Sequence, residues 1–396
     1  MPIMSPFHPR TAALCTSLLW KEWAGYYAVR SFDTVLEPEY QAIRHTAGLL
    51  DVTPLYKYEV HGQEAAAFLS WVTVRDIGKL GVRRMTYLCW CDDDGKVVDD
   101  GTVARLDDDH FRVTAAEPAY AWLSRQARGF DVRITDSSRD IAALALQGPV
   151  SRQILGLITD ADVASLRYFA IMPACIGGTE AWISRTGYTG DLGYEIWVPA
   201  AQALRVWDAL IEAGRAHRIV PIGLDALDVS RVEAGFIMNG VDYFSANHCL
   251  VPTRKSTPSE IGLGWTVKLE REPFVGQAAL LAESARGAAT AFVGLVTVWE
   301  EFEALHTRFG LPPHVPAGAW RTPVPLYDGR GKQVGYATSG AWSPILKQNL
   351  ALASVRRGSD TPGTRLEIEV TVEFARHRVG AIVTSLPFYD PERKKA

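Results

Sequence analysis

Residues 184–196 read Ser-Arg-Thr-Gly-Tyr-Thr-Gly-Asp-Leu-Gly-Tyr-Glu-Ile, with Gly187, Gly190 and Gly193 spaced three apart. A glycine-rich run of this kind can cradle a phosphate, but no Lys-Ser/Thr pair follows, and the residues beyond alternate as a strand instead of opening a helix. The run is therefore read as a tight turn between two strands, at 179–184 and 194–198.

Outward from this turn the chain mixes both periodicities. Upstream, a strand at 141–146 ends in Gln147-Gly148-Pro149, with helices expected at 120–128 and 151–157. Downstream, residues 201–217 form an amphipathic helix (Leu204, Trp207, Leu210, Ile211), and a second helix over 224–234 ends at Gly235. Nearer the start, Tyr40, Ile43, Ala47 and Leu50 predict one helix over 37–50. Tyr56, Tyr58 and Val60 then alternate with Lys57 and Glu59 as a half-buried strand, followed by a helix over 64–72. Three β runs at 85–91, 97–106 and 111–115 are joined by the turns Asp92-Asp93-Asp94-Gly95 and Asp107-Asp108-Asp109.

Beyond a Pro- and Gly-rich segment at 311–325, β runs at 333–338, 351–355, 365–372 and 378–384 suggest a small barrel or sandwich. Gly287-Ala288-Ala289 interrupts the pattern, so the boundary is placed there: residues 1–286 as two interleaved α/β units, residues 287–396 as the C-terminal barrel. The class is α+β.

Composition narrows the function. With 396 residues, 47% hydrophobic and 22% charged, the chain can bury several cores, which excludes global disorder. A net charge of −4 with scattered basic residues argues against nucleic acid as the partner. No apolar run is long enough for a bilayer, and MPIMSPFHPR lacks the features of a signal peptide, so no membrane is expected. Five cysteines without a CxxC pair fit reduced thiols, and a cytoplasmic location is expected. His248 beside Cys249 lacks further ligands at fitting spacing, so no metal is expected. Walker A, GxGxxG, HExxH and GxSxG motifs are absent.

The 184–196 run, together with Asp99-Asp100, Gln147-Gly148-Pro149, Arg231-Val232-Glu233-Ala234-Gly235, Gly262-Leu263-Gly264-Trp265, Thr338-Ser339-Gly340 and Ser343-Pro344, resembles the glycine-cleavage T-protein (aminomethyltransferase) superfamily in content and order over about residues 35–390. The resemblance implies a three-domain cloverleaf of two mixed α/β domains and a C-terminal β-barrel. Tetrahydrofolate would lie in the central channel and exchange a one-carbon unit with a small substrate.

It also implies residue roles. Glu195 falls at the family's glutamate, where a carboxylate answers adjacent N–H donors of a reduced pterin. Asp99 and Asp100 are adjacent, so on a strand they face opposite ways and only one can enter the site. Asp100 matches the catalytic aspartate, placed to stabilise developing positive charge or to manage a proton. Arg231 matches a folate-site arginine able to grip a carboxylate. Tyr87 and Trp265 match positions along the pterin and p-aminobenzoyl path, and Tyr188, Thr114 and Leu55 are carried over as further cofactor contacts.

The chain also departs from the T-protein pattern. The family's Asp-Val-Ser-His-Met-Gly is here Asp51-Val52-Thr53-Pro54-Leu55-Tyr56, its asparagine is Thr114, and the loop 243–255 is longer. These changes at the one-carbon pocket favour a relative that demethylates a small N-, S- or O-methyl substrate. A cage for such a group is expected from Tyr56, Tyr58 and Trp90, with Trp23, Tyr26 and Tyr27 nearby. The alternative is an aminomethyltransferase working with a lipoylated carrier protein. An iron–sulfur assembly factor would need a Lys-Gly-Cys motif, and a flavin-linked oxidase a dinucleotide-binding domain; neither is found.

Overall fold

The computed structural model describes residues 1–395. The glycine-rich run is a turn between Thr179–Ser184 and Gly193–Pro199, which pair with Ser184 opposite Glu195. These strands belong to a six-stranded sheet in the order Ile171–Ile176, Thr179–Ser184, Gly193–Pro199, Ile141–Gln147, Ala47–Asp51, Ile219–Pro221. Two of the glycines are required by Gln147: a Cβ at Gly187 would stand 2.0 Å from its Oε1, and one at Gly193 2.3 Å from its Nε2. Gly190 has φ +74°, the left-handed region that favours glycine.

The expected helix over 37–50 is two elements. The helix Glu37–His45 stops at Thr46, and Ala47–Asp51 is a strand buried in the middle of the sheet. Its run Ala-Gly-Leu-Leu is apolar on both faces, so neither a period of two nor one of 3.6 stands out, and continuation of the helix looks as good locally as a new strand.

At Asp51 the chain leaves this sheet and builds a second, in the order Met85–Cys91, Val97–Arg105, His110–Ala115, Tyr56–His61, Arg133–Asp136, before re-entering the first at Ile141. The two α/β units are thus interleaved in sequence. Each has its own core on its outer face. Leu144, Ile196, Trp207 and Leu210 lie in the first, and Tyr58, Val60, Phe68 and Val103 in the second. Their inner faces share a further cluster, in which Met85 and Ala104 of the second sheet meet Leu50, Ala145 and Trp197 of the first.

The C-terminal part closes a six-stranded barrel of Thr290–Thr297, Gln348–Arg356, Gln333–Ser343, Val324–Tyr327, Arg365–Val372 and Ala375–Thr384. The mixed α/β units and the terminal barrel expected from the sequence are therefore present. Elements not foreseen include the N-terminal hairpin Leu19–Trp23/Tyr26–Ser31, the helices His8–Leu14, Gln277–Arg286 and Trp299–Arg308, and the barrel strands Thr290–Thr297 and Val324–Tyr327. No helix among the described residues is long and apolar enough to cross a membrane, and the five cysteines are free thiols.

Candidate active site

The second sheet carries a polar row on its inner face. Tyr87, Thr102, Thr114 and Lys57 are paired in register across four neighbouring strands, and the Thr102 and Thr114 hydroxyls lie 2.7 Å apart. Asp100, two residues before Thr102, shares that face. The Tyr87 hydroxyl donates to Asp100 Oδ2 at 2.6 Å, and the Tyr243 hydroxyl donates to Oδ1. Burial and the Asp100 charge push both phenols well above their ordinary range, so they remain protonated donors.

Asp99 turns to the other face, as alternation requires. There its Oδ2 accepts from the backbone N–H groups of Ala116 (3.0 Å) and Glu117 (2.9 Å), and its Oδ1 from Asn239 Nδ2 (2.9 Å). Tyr243 reaches around the strand, its Oη 3.3 Å from Asp99 Oδ1, so one hydroxyl touches both acids. Burial raises both carboxyls, and the Asp100 charge raises Asp99 further. The two tyrosine donors oppose this at Asp100. Tyr243→Phe removes one donor to the Asp100 anion and should therefore move the acid limb of the kcat/KM profile to higher pH. About 1.5–3 kcal/mol for a charge-assisted bond corresponds to roughly one to two pH units. A pH–rate series checks this; an unmoved limb would show that Asp100 is not the titrating group.

The facing wall is the strand Gly193–Pro199. Glu195 lies in a row with Ser184, Ala145 and Leu50 and so points between the sheets. Burial lifts its carboxyl above the ordinary range, opposed by Thr186, Trp197 and the Lys57 charge. Lys57 is itself buried, its Nζ donating to the carbonyls of Thr53 (2.8 Å) and Leu55 (2.7 Å), and burial pushes its ammonium down to about 8. The contact to Leu55 thus runs through its main chain. In sequence Lys57 reads as the outward half of an alternating strand, because alternation does not say that a second sheet covers that face.

Tyr188 stacks on Phe236 with ring centroids 5.5 Å apart, its hydroxyl on the carbonyl of Ile237, and the Arg231, Asp100 and Asp242 charges all act on it. Trp265 stands at the rim, 58% exposed, its ring 6.4 Å from Tyr87 and beneath the Arg75 guanidinium.

Arg231 corrects an expectation. Its guanidinium is fully buried, with Nε on Asp228 Oδ1 (2.7 Å) and Nη1 on Asp242 Oδ2 (2.5 Å), so it grips carboxylates of its own chain. Only Nη2 lacks a hydrogen-bond partner. Asp242 in turn accepts from Thr338 Oγ1 (2.5 Å) and Ser339 Oγ (2.8 Å). A register shift in the barrel strand at this point lets two successive side chains turn to one acceptor. Glu233 has the same clasping role: it accepts from the Tyr40 hydroxyl (2.6 Å), Arg44 Nε (3.0 Å) and the Ser343 hydroxyl, while Arg44 Nη1 reaches the Thr189 carbonyl and Thr189 bonds Gln147. Arg231, Glu233, Thr338, Ser339 and Ser343 thus tie the helix Leu224–Glu233 and the loop after it to the barrel.

The aromatic cage is not assembled. Tyr58 and Trp90 are buried in the core on the opposite face of the sheet from Asp100, where Tyr58 accepts from the Ala119 N–H and Trp90 stacks on Trp122. Tyr56 follows the same alternation and stacks on Tyr58. Tyr243, Asn239 and Asp242 were not singled out from the sequence: they come from a loop that shows no periodicity and reaches the site only through the fold.

Comparison with known proteins agrees with this architecture. Residues 7–271 match the GCVT N-terminal domain family, and residues 311–390 match the glycine cleavage T-protein C-terminal barrel domain. Among similar proteins, the "Aminomethyltransferase" of Herpetosiphon aurantiacus is 35% identical over 90% of this chain and 91% of its own. That of Desulfitobacterium hafniense (strain DSM 10664 / DCB-2) is 32% identical over 90% and 92%. The crystal structure of glycine cleavage system aminomethyltransferase T from Bartonella henselae superimposes with a TM-score of 0.83, covering 98% of this chain and 99% of that one at 23% identity, which shows a common fold.

These relatives overturn the expectation of a demethylase acting on a small methylated substrate: at 32–35% identity over nine-tenths of the chain they are aminomethyltransferases. The substitutions at Pro54, Leu55 and Thr114, which prompted that expectation, are compatible with this kinship, and of the aromatic residues invoked with them Tyr58 and Trp90 are core while Tyr27 is exposed. With its N-terminal two-thirds, its terminal barrel and its full-length relatives in agreement, the chain belongs to the glycine cleavage T-protein family.

Proposed function

We propose that this chain is an aminomethyltransferase that moves a one-carbon unit from a lipoylated carrier protein to tetrahydrofolate held between the two sheets and the barrel. The observation that carries this reading is the kinship with proteins named aminomethyltransferase along nearly the whole chain. The residues fit such a ligand. Glu195 offers a half-buried carboxylate to paired N–H donors of a reduced pterin, and Tyr87 and Trp265 offer flat faces along a path to the exposed rim. The unpartnered Nη2 of Arg231 is a remaining buried donor beside Tyr188.

Bound tetrahydrofolate would supply the nitrogen nucleophiles: two C–N bonds form to the carbon while its bonds to the carrier sulfur and to the amino group break, releasing the carrier thiol and ammonia. Asp100, fixed by Tyr87 and Tyr243, places an anion where positive charge develops on the transferring group and can hold the proton that the amine gives up. The threonine pair and Lys57, which is held by the carbonyls of Thr53 and Leu55, complete a polar wall beside the two acids, Asp100 and Glu195.

Calorimetric titration with tetrahydrofolate, and an assay for methylenetetrahydrofolate with the aminomethylated lipoyl carrier, test this. Glu195→Gln should weaken tetrahydrofolate binding about 10–100-fold, the worth of one or two charge-assisted bonds, with the fold intact. Folate binding without turnover of the carrier would remove the aminomethyl reaction and leave the cofactor; no folate binding would remove both.

A further inference from the structure

A second cluster of chemical groups lies farther along the same sheet, outside the candidate active site. Glu59 and His61 project from one face of Tyr56–His61, and His110 opens the neighbouring strand His110–Ala115 directly opposite His61. The two imidazoles stack with centroids 3.9 Å apart and planes within 21°. Glu59 Oε2 lies 2.6 Å from His110 Nε2, and ligand atoms of all three residues come within 4.8 Å of one another. All three side chains are half-buried, open to water on one side.

We propose that Glu59, His61 and His110 form a binding site for a divalent transition-metal ion of the Zn²⁺ class. Two imidazoles and one carboxylate are a donor set that suits Zn²⁺, and three protein ligands leave a fourth position for water. The carboxylate is already oriented by an outer layer: its other oxygen, Oε1, accepts from Arg112 Nε at 2.6 Å and Ser137 Oγ at 3.3 Å, which leaves Oε2 for the ion. The ion takes the place of the proton between Glu59 and His110. Metal–ligand bonds of about 2.0–2.2 Å at tetrahedral angles hold donor atoms roughly 3.2–3.5 Å apart, so this pair opens by less than about 1 Å. Two cations stand near, Arg112 on Glu59 and Arg133 opposite His61 on the edge strand, and they limit the affinity. Histidine and carboxylate on paired strands also act as a clip. The ion joins the two strands that carry Lys57 and Thr114, each about 13 Å from its histidine along the strand at ~3.3 Å per residue, so it supports the site mechanically and does not touch the reacting atoms.

The full chain, stripped with EDTA and dialysed, is titrated with zinc chloride and, separately, cobalt chloride. One equivalent should bind per chain. Cobalt should give the strong visible absorption of a four- or five-coordinate ion, and the thermal midpoint should rise with zinc. In the His61→Gln/His110→Gln double variant, with unchanged circular dichroism, affinity should fall at least about tenfold and the thermal rise should disappear. Binding below half an equivalent in the wild type, a weak six-coordinate cobalt spectrum, or undiminished binding in the double variant overturns the proposal. Should the double variant fail to fold, the wild-type cobalt spectrum and stoichiometry decide alone.

Discussion

Replacing Asp100 by asparagine is expected to lower kcat for one-carbon transfer about 10²–10⁴-fold while tetrahydrofolate binding is kept, the range that a positioned acid–base group supplies. Asparagine preserves the shape and one acceptor oxygen, and the Tyr87 and Tyr243 hydroxyls can turn to suit the amide, so the local packing survives. On the proposed reaction, what is lost is the negative charge facing the transferring group and the ability to take a proton. Single-turnover rates with the lipoyl carrier, run beside calorimetric folate titration, separate the two. A decrease smaller than about tenfold would place Asp100 away from the reacting atoms. The effect is distinct from that of Glu195→Gln, which should act on binding first.

Arg44→Met should destabilise the chain by about 3–5 kcal/mol, read as a lower urea midpoint with an unchanged slope. Arg44 and Glu233 are both fully buried, and the guanidinium also reaches Asp191 at 3.5 Å and the carbonyls of Thr189 (2.9 Å) and Ser230 (3.3 Å). Methionine fills most of the volume but leaves the Glu233 carboxylate, itself clasped to Tyr40 and to Ser343 of the barrel strand, without its cation. The cost of an uncompensated buried charge exceeds the net worth of the pair, so removing one partner has a larger effect than deleting both. The double variant Arg44→Met/Glu233→Gln should recover part of the loss; a double variant as unstable as the sum of the two single ones would show that the pair does not act as a unit.

The sequence was most legible where one periodicity ruled. The meander from Met85 to Ala115 consists of β-rich runs bounded by acidic turns, and its strands stand close to where those turns put them. Residues 37–50 were misread because Ala47 to Leu50 is buried from both sides, and such a run carries no period at all. The glycine-rich turn was read correctly as a turn, but two of its glycines, Gly187 and Gly193, face Gln147, forty or more residues away, which no local rule contains.

At the candidate site the same division holds. Strand parity required Asp99 and Asp100 to diverge, and the family resemblance, not parity, picked Asp100 of the two. Parity does not say which face another layer will cover. Tyr58 and Trp90 therefore looked as available as Tyr87 and turned out to be core, while Lys57 looked like a solvated lysine and turned out to be buried between two sheets. Arg231 was visible as a motif residue, but its ion pairs with Asp228 and Asp242 belong to the helix and loop that enclose it.

By itself, then, the sequence determined the class of each strongly periodic element, the terminal barrel and, through motifs kept in order, the kinship. Tertiary structure alone decided which polar residues line the space between the sheets and which tie the domains together. A buried lysine and an exposed one obey the same local pattern, and only the arrival of a distant layer, here the Gly193–Pro199 strand and the 239–243 loop, removes the water and sets the partners.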